Sequence, residues 1–567
     1  MKPFQTTLKT NGIFMTSMTG LQKRSTFNIH NLNLSTDSLS FYKPCVMRFI
    51  LPLFVICSLA FIQGEHTNPK PLRMPYKKAG LTEKEAALHL LNRLAFGPAP
   101  GQVEKVVSMG LDQWVMSQLN QSAAENELQE KLKRLDALLL SNEQIAGTYL
   151  NAVQVIRQLQ QSGKLSKDSI PNTEDSAYRK KIQALMESSG LKPPRELNRQ
   201  LFAQKMIRAI AAENQLSEML TDFWFNHFNV SITKNLAQPY VLTYERDAIR
   251  PNVLANFETL LKATAQHPAM LLYLDNALSG SDNNPLQERA RARMTKQNSN
   301  RRQNGLNENY ARELLELHTL GVDAGYTQED VQAVAKALSG WTVRPLKQEN
   351  MAGLAKQVSR RQNLAVVEND FMFVAFRHDE GEKTILNKNY PANGGYAEGL
   401  AVIHQLATHP STAQFICKKL ASRFVTDEPP ANLVSEMSNT FMATSGNIKA
   451  VMITMLNAPE FWEKKYVGSK TKSPFELTVS AVRITNARVI QPFQLYSWCE
   501  KMGQPLYGYN APTGFPDKAS FWINSGSLLN RVNFGVALVE NKITGIRVPD
   551  PEKNMGMLLG SHSFQNK

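Results

Sequence analysis

From residue 80 onward, apolar residues recur at three- and four-residue spacing and almost nowhere alternate. A helix buries one stripe at that period, whereas a half-buried strand needs a period of two, so the pattern commits most of the chain to helices. The helix ends are written into the same stretch. Thr82-Glu83-Lys84-Glu85 is a capping box opening a helix that runs towards Phe96 and closes at Gly97-Pro98. Residues 123–160 read as two long helices broken near Ser141-Asn142, and Pro193-Pro194 starts another that continues to about Asn214. Ser217 can cap a segment ending at Phe228, and Thr327 caps one from Gln328 to Ser339 that Gly340 terminates. Further helices are expected at about 394–407, 410–424, 431–443, 446–456 and 472–485. Strand-like alternation is confined to Phe371–Phe376 and Thr384–Leu386, which flank a turn and predict one hairpin. The expectation is a mainly α, multi-helical globular domain over 82–540, with at most a small β-hairpin near 371–386 and a C-terminal tail over 541–567.

Composition agrees with a globular chain: of 567 residues 42% are hydrophobic and 20% charged. The clearest local signal lies near the start, where Met47-Arg48 is followed by an apolar run from Phe49 to Ile62. That run is too short for a membrane-spanning helix, which needs about 20 residues. It fits a secretory signal peptide over 47–64, with Ser58-Leu59-Ala60 as a small-x-small cleavage site. Residues 1–46 then read as an extension upstream of a true start at Met47. Removing 1–64 leaves 58 basic residues against 48 acidic ones and only Cys417 and Cys499. A disulfide between these two is permitted by export but required by nothing in their spacing. The protein is expected to be exported, periplasmic or extracellular, with no stable transmembrane segment once the signal is removed.

Two segments read as basic insertions, at about 279–305 and 344–366. The first carries Arg289, Arg291, Arg293, Lys296, Arg301 and Arg302 against two acids, Asp282 and Glu288. Such a run is either a solvated loop or an electrostatic contact with an anionic glycan or envelope lipid. Nucleic acid is disfavoured because no stacking aromatics are interleaved with the charges.

The densest polar constellation is Asn307 to Gly321. Stepping about 100° per residue from Glu308 puts Arg312 at about 40°, Glu316 at about 80°, Asn309 at about 100° and Glu313 at about 140°. Glu308, Arg312 and Glu316 can form an exposed ladder. Glu313 borders the apolar face of Tyr310, Leu314 and Leu317, where a carboxylate is costly unless paired or bound to a cation. His318 falls on the other side and reads as a core histidine. His227 continues the apolar stripe Leu216, Met219, Leu220, Phe223 and Trp224, so it is either structural or a site residue in a dry pocket. His378-Asp379, in the predicted hairpin turn, can bind metal, act in acid/base chemistry or simply make a turn. No Gly-rich phosphate loop, Gly-x-Ser-x-Gly elbow or Cys-rich metal site is present.

These motifs resemble a large bacterial family called domain of unknown function 1800 (DUF1800). The matching stretches are Leu91–Pro98 with Trp114 and Gln118, Phe223–Phe228, Pro268–Leu271 through Leu274-Asp275-Asn276, and Asn307–Gly321 continuing to Gly340-Trp341. His378-Asp379, Phe424-Val425 and Pro512–Gly514–Pro516 with Trp522 and Arg531 complete the set. The resemblance implies a mostly helical, exported bacterial protein without an established activity. It also implies a genomic neighbour that looks like sulfatases and alkaline phosphatases. Two positions depart from the family pattern: His318 is often aromatic there, and Phe515 stands where Trp is common.

Two functions follow as expectations. The first is a metal-dependent or acid/base hydrolase acting on envelope or extracellular glycan, its metal and cofactor unspecified. Glu313, Glu316, Arg312, His227, His378 and Asp379 would be catalytic, and Glu308, Asn309, Asn226, Asp275 and Asn276 would bind substrate, all converging on one pocket. The second is a non-catalytic helical scaffold or partner of the sulfatase-like protein, expected to show a closed Arg–Glu network and an exposed apolar patch.

Overall fold

Thr82 Oγ1 accepts the backbone N–H of Glu85 while the Glu85 carboxylate accepts that of Thr82, and the helix Glu83–Leu94 follows. The same reciprocal box opens Gln328–Ala337 from Thr327 and Asp330, and Pro474–Ile484 from Ser473 and Glu476. These features belong to a computed structural model that describes residues 71–163, 165, 176–281, 305–346, 365–552 and 554–567. The expected upstream extension 1–46, the signal peptide 47–64 and most of both basic insertions lie outside the described residues.

The protein is mainly helical. Pro194–Ala211, Gly395–Ala407, Pro410–Phe424, Ala431–Ala443 and Ile448–Asn457 stand within a few residues of their expected ranges. The stretch 123–160 differs. It holds the short helices Asn126–Leu132, Asn142–Thr148 and Ala152–Gln161, because Ser141 and Asn151 each close a capping box and so start separate helices. Asn214, not Ser217, is the N-cap of Gln215–His227; Ser217 lies inside the first turn.

Strands stand at both places the alternation marked, but they pair otherwise, each with strands it did not mark. Strand β3 (Phe371–Val374) is the centre of an antiparallel sheet between β1 (Trp341–Val343) and β2 (Ala365–Glu368), with Phe373 opposite both Trp341 and Val366. All four of its residues are buried, so both of its hydrogen-bonding edges need partners. β4 (Lys383–Ile385) pairs instead with its neighbour β5 (Lys388–Tyr390).

Glu65–Lys567 makes up one compact unit. One large apolar core runs from Met74 to Leu559, drawing on helices from both ends of the sequence. The expected tail over 541–567 is packed structure. Ile546–Arg547 (β7) pairs with Arg488–Val489 (β6), two short helices follow, and the Lys567 backbone exchanges hydrogen bonds with Lys470 in both directions. Among the described residues no helix is long and apolar enough to cross a membrane. Cys417 and Cys499 are buried free thiols, each pushed up to about 12 by burial.

Among the described residues two π-helical turns interrupt the helices, Tyr244–Ile249 and Leu314–Thr319. The second lies inside the Asn307–Gly321 motif, where Thr319 Oγ1 donates to the Leu314 carbonyl five residues back at 2.7 Å. A π turn widens the helix and breaks the 100° step, so the helical-wheel positions hold only as far as Glu313.

Candidate functional site

The helix Gln215–His227 ends against the loop 509–516, and two asparagines make the junction. Asn226 Nδ2 donates to the Phe515 carbonyl at 2.8 Å and its Oδ1 accepts the Phe515 N–H at 2.7 Å. Asn229 Nδ2 donates to the Tyr509 and Ala511 carbonyls. Gly514 has φ +68 and lies so close to Asn226 that a Cβ would fall 2.1 Å from its carbonyl oxygen, which only glycine tolerates. Two motifs almost 300 residues apart in sequence (|i−j| = 289 for this pair) are thus clasped side by side. Between them lies a cavity of about 250 Å³ whose wall includes His227, Lys419, Arg423, Phe515, Asp517 and Trp522.

His227 and Lys419 face each other in this cavity. Lys419 Nζ is 2.9 Å from His227 Nδ1, and His227 Nε2 is 3.1 Å from the His318 carbonyl oxygen. A carbonyl only accepts, so Nε2 carries the proton and Nδ1 offers its lone pair to the lysine. The π turn at 314–319 supplies that carbonyl. Burial, then the charge on Lys419 and then His318, hold the His227 imidazole well below its ordinary range and keep it neutral. Lys419 comes from Pro410–Phe424, and burial pushes its ammonium down to about 8, partly opposed by Asp517.

The other cations of this cavity are treated differently. Lys205 Nζ lies 2.9 Å from Asp222 and 3.7 Å from Glu245. Burial acts to lower its pKa, but those two carboxylates outweigh it and raise the value. Arg423 spans Asp222 at 3.2 Å, Glu476 at 2.8 Å and Asp517 at 3.7 Å. Glu476 in turn receives the Lys567 amine. Burial tends to raise the Glu245 carboxyl, yet Lys205 and Arg250, with hydrogen bonds from Tyr507 and Gln204, hold it at about 2. Lys205 and Arg423 therefore remain charged, while Lys419, facing a neutral histidine, is poised to lose its proton near neutrality.

The residues singled out from sequence occupy several separate neighbourhoods. His227 and Asn226 line the cavity, although both faces of the Asn226 amide are spent on the Phe515 backbone. Arg312 pairs with Glu316 at 3.4 Å and with Gln328 at 2.7 Å, and Gln328 also donates to Glu308 at 2.6 Å, making a partly exposed ladder. Asn309 is exposed, and Glu313 is half-buried with its carboxyl pushed up by burial and by Glu316, against Arg312. His378 and Asp379 belong to a buried knot: Lys383 Nζ contacts Glu398 at 2.9 Å and Asp379 at 3.4 Å, while His378 Nε2 is 3.4 Å from Glu398. Asp275 takes both its hydrogen bonds from Lys234, and the Asn276 amide donates to the Leu338 and Trp341 carbonyls. Among the described residues no group of three or more His, Cys, Asp or Glu is placed to hold a metal ion.

Sequence reasoning missed Lys419, Arg423, Lys205 and Asp517. A signal existed for two of them: Lys419 and Arg423 are four apart and flank the apolar stripe Ile416, Leu420 and Phe424.

A family model described as "Protein of unknown function (DUF1800)" matches residues 89–563. The chain belongs to the DUF1800 family. No curated protein and no solved structure matches it. The family match spans every residue that lines the cavity, from Lys205 to Trp522, so the whole site lies within the family's region.

Proposed function

We propose that the protein is an exported acid/base hydrolase acting on an acidic envelope or extracellular glycan, with Lys419 as its proton-transfer group. The observation that carries this reading is the Lys419–His227 pair facing a cavity. A lysine able to become neutral near pH 8 can take a proton from an attacking water and return it to a leaving group. His227, fixed as its Nε2–H tautomer, orients the amine. The wall carries Lys205, Arg423 and Lys518 against Asp222 and Asp517, an excess of one positive charge besides Lys419, which suits an anionic sugar substituent. The test is release of reducing ends from a panel of sulfated and uronate-bearing polysaccharides, measured from pH 5 to 10. A rate that rises through about pH 8 and drops about 100-fold or more in Lys419→Arg supports the reading. No turnover on any member, or turnover indifferent to Lys419, removes it.

A second reading, a non-catalytic partner of a sulfatase-like exported protein, draws on one surface. The helix Ser525–Val539 exposes Leu528, Leu529, Val532 and Val536, and Phe521, Ile523, Met557 and Leu558 are exposed on the flanking segments. Its single charged residue, Arg531, is buried. An uncharged outward face of this kind is characteristic of a docking surface.

A further inference from the structure

A second cavity, of about 420 Å³, is lined by residues of Glu83–Leu94, Pro474–Ile484 and the two last helices of the chain. Two polar side chains meet on its wall. Lys472 Nζ lies 2.9 Å from Ser480 Oγ and 2.8 Å from the Phe564 carbonyl oxygen, above the Phe564 ring at 4.0 Å. The arrangement follows from the local sequence. Lys472 immediately precedes the Ser473 cap, and its long stem runs beside the first turns of the helix to reach Ser480. Both residues are buried against protein, yet both border the cavity. Gly97, at φ +84, approaches so closely that a Cβ there would lie 2.7 Å from Ser480 Oγ. Glycine at that position lets its backbone pack against the hydroxyl on that side, and the cavity borders Ser480 on another.

We propose that Ser480 and Lys472 form a serine–lysine acyl-transfer site for esters with a short aliphatic acyl group, separate from the Lys419–His227 cavity. The apolar walls Leu88, Ile484, Met555 and Leu558 select the acyl chain, and Asn92 supplies an amide on the same wall for the carbonyl oxygen. Lysine replaces histidine as the base in such pairs when its amine is neutral. Burial pushes Lys472 down to about 7, with Glu476 opposing and Lys567 and Arg531 reinforcing the shift. In the first half-reaction Ser480 Oγ bonds to the ester carbonyl carbon as its proton passes to the Lys472 amine. The C–O bond to the alcohol then breaks, and Lys472 returns the proton to the departing oxygen. In the second half-reaction water attacks the acyl-serine, gives a proton to Lys472 and releases the carboxylic acid, while Ser480 recovers its hydrogen.

A purely structural lysine would use Ser480 Oγ and the Phe564 carbonyl only as acceptors for its ammonium. The two roles separate by trapping the nucleophile. The full chain is incubated with a short-alkyl fluorophosphonate, which forms an Oγ–P bond and expels fluoride, and the adduct is located by peptide mass spectrometry. The expected result is one adduct on Ser480 whose rate of formation rises through about pH 7. It should be absent in Ser480→Ala and about 100-fold slower in Lys472→Arg, which keeps the charge but cannot act as base. Failure to label Ser480 anywhere from pH 6 to 9 overturns the proposal. So does labelling at a rate that does not change with pH. The wild-type profile decides the matter even where Lys472→Arg fails to fold.

Discussion

At the scale of single residues, the cavity shows how one charge type acquires two behaviours. Lys205 is buried and Lys419 half-buried, and the first faces carboxylates whereas the second faces a neutral imidazole nitrogen. Competitive acetylation with trace acetic anhydride should therefore give Lys419 an apparent pKa of about 8, against about 10.4 for surface lysines. A value near 10 would remove the basis for its role. Stability carries the same signature. Between about pH 8 and 10.4 the unfolded chain holds a proton that folded Lys419 has released, so stability rises with pH across that window. Below it, burying the ammonium costs at most about 3 kcal/mol. Lys419→Met should thus match or exceed the wild-type melting temperature at pH 7, with the difference shrinking by pH 10. Loss of activity without loss of stability would mark a functional site.

At the scale of elements, the site depends on a junction more than on any one helix. Asn226 holds the 509–516 loop by both hydrogen-bonding directions of a single backbone unit. Asn226→Ala leaves the Phe515 N–H and C=O without these partners and should cost about 2 kcal/mol in urea unfolding. The loop should also become the earliest site of proteolysis; an unchanged cleavage pattern would show that Asn229 alone suffices. The π turn at Leu314–Thr319 is equally positional, since it delivers the His318 carbonyl that sets the His227 tautomer. Neither feature could be read from periodicity: a wheel assumes a uniform step, and an asparagine clasp has no period.

At the scale of the whole molecule, buried ion networks tie residues 205–250 to residues 423–567. Glu245 is held at about 2 in the folded state, against about 4.3 for an ordinary glutamate. Its contribution, about 3 kcal/mol, is fully present above pH 4.3 and is lost as pH falls through 2. Glu245→Gln should lower stability at pH 7 and flatten its decline between about pH 4.3 and 2, as read by urea melts. A parallel decline in variant and wild type would assign acid sensitivity to other groups. The apolar face of Ser525–Val539 is the other feature of this scale. On the docking reading, Leu529→Asp should abolish co-sedimentation with a sulfatase-like protein while leaving the melting temperature within about 1 °C, because Leu529 is exposed and contributes little to the core.

The sequence by itself determined the helical class, most helix ends and the core stripes, because capping chemistry and amphipathic period are local and act within a few residues. It also carried the family motifs, which the family match confirms over residues 89–563. It placed His227 on an apolar stripe, and that is where it lies. Only the tertiary structure decided the rest. Pairing of β3 with β1 and β2, burial of the C-terminal residues, and the meeting of Lys419 with His227 across 192 positions all depend on long-range packing. The motif carboxylates Glu308 and Glu316, densest in sequence, met glutamine, arginine and partial solvent. The lysines, unremarked in sequence, were enclosed by the fold and so acquired altered proton affinities. Desolvation is a property of the surroundings, which the chain creates only by folding.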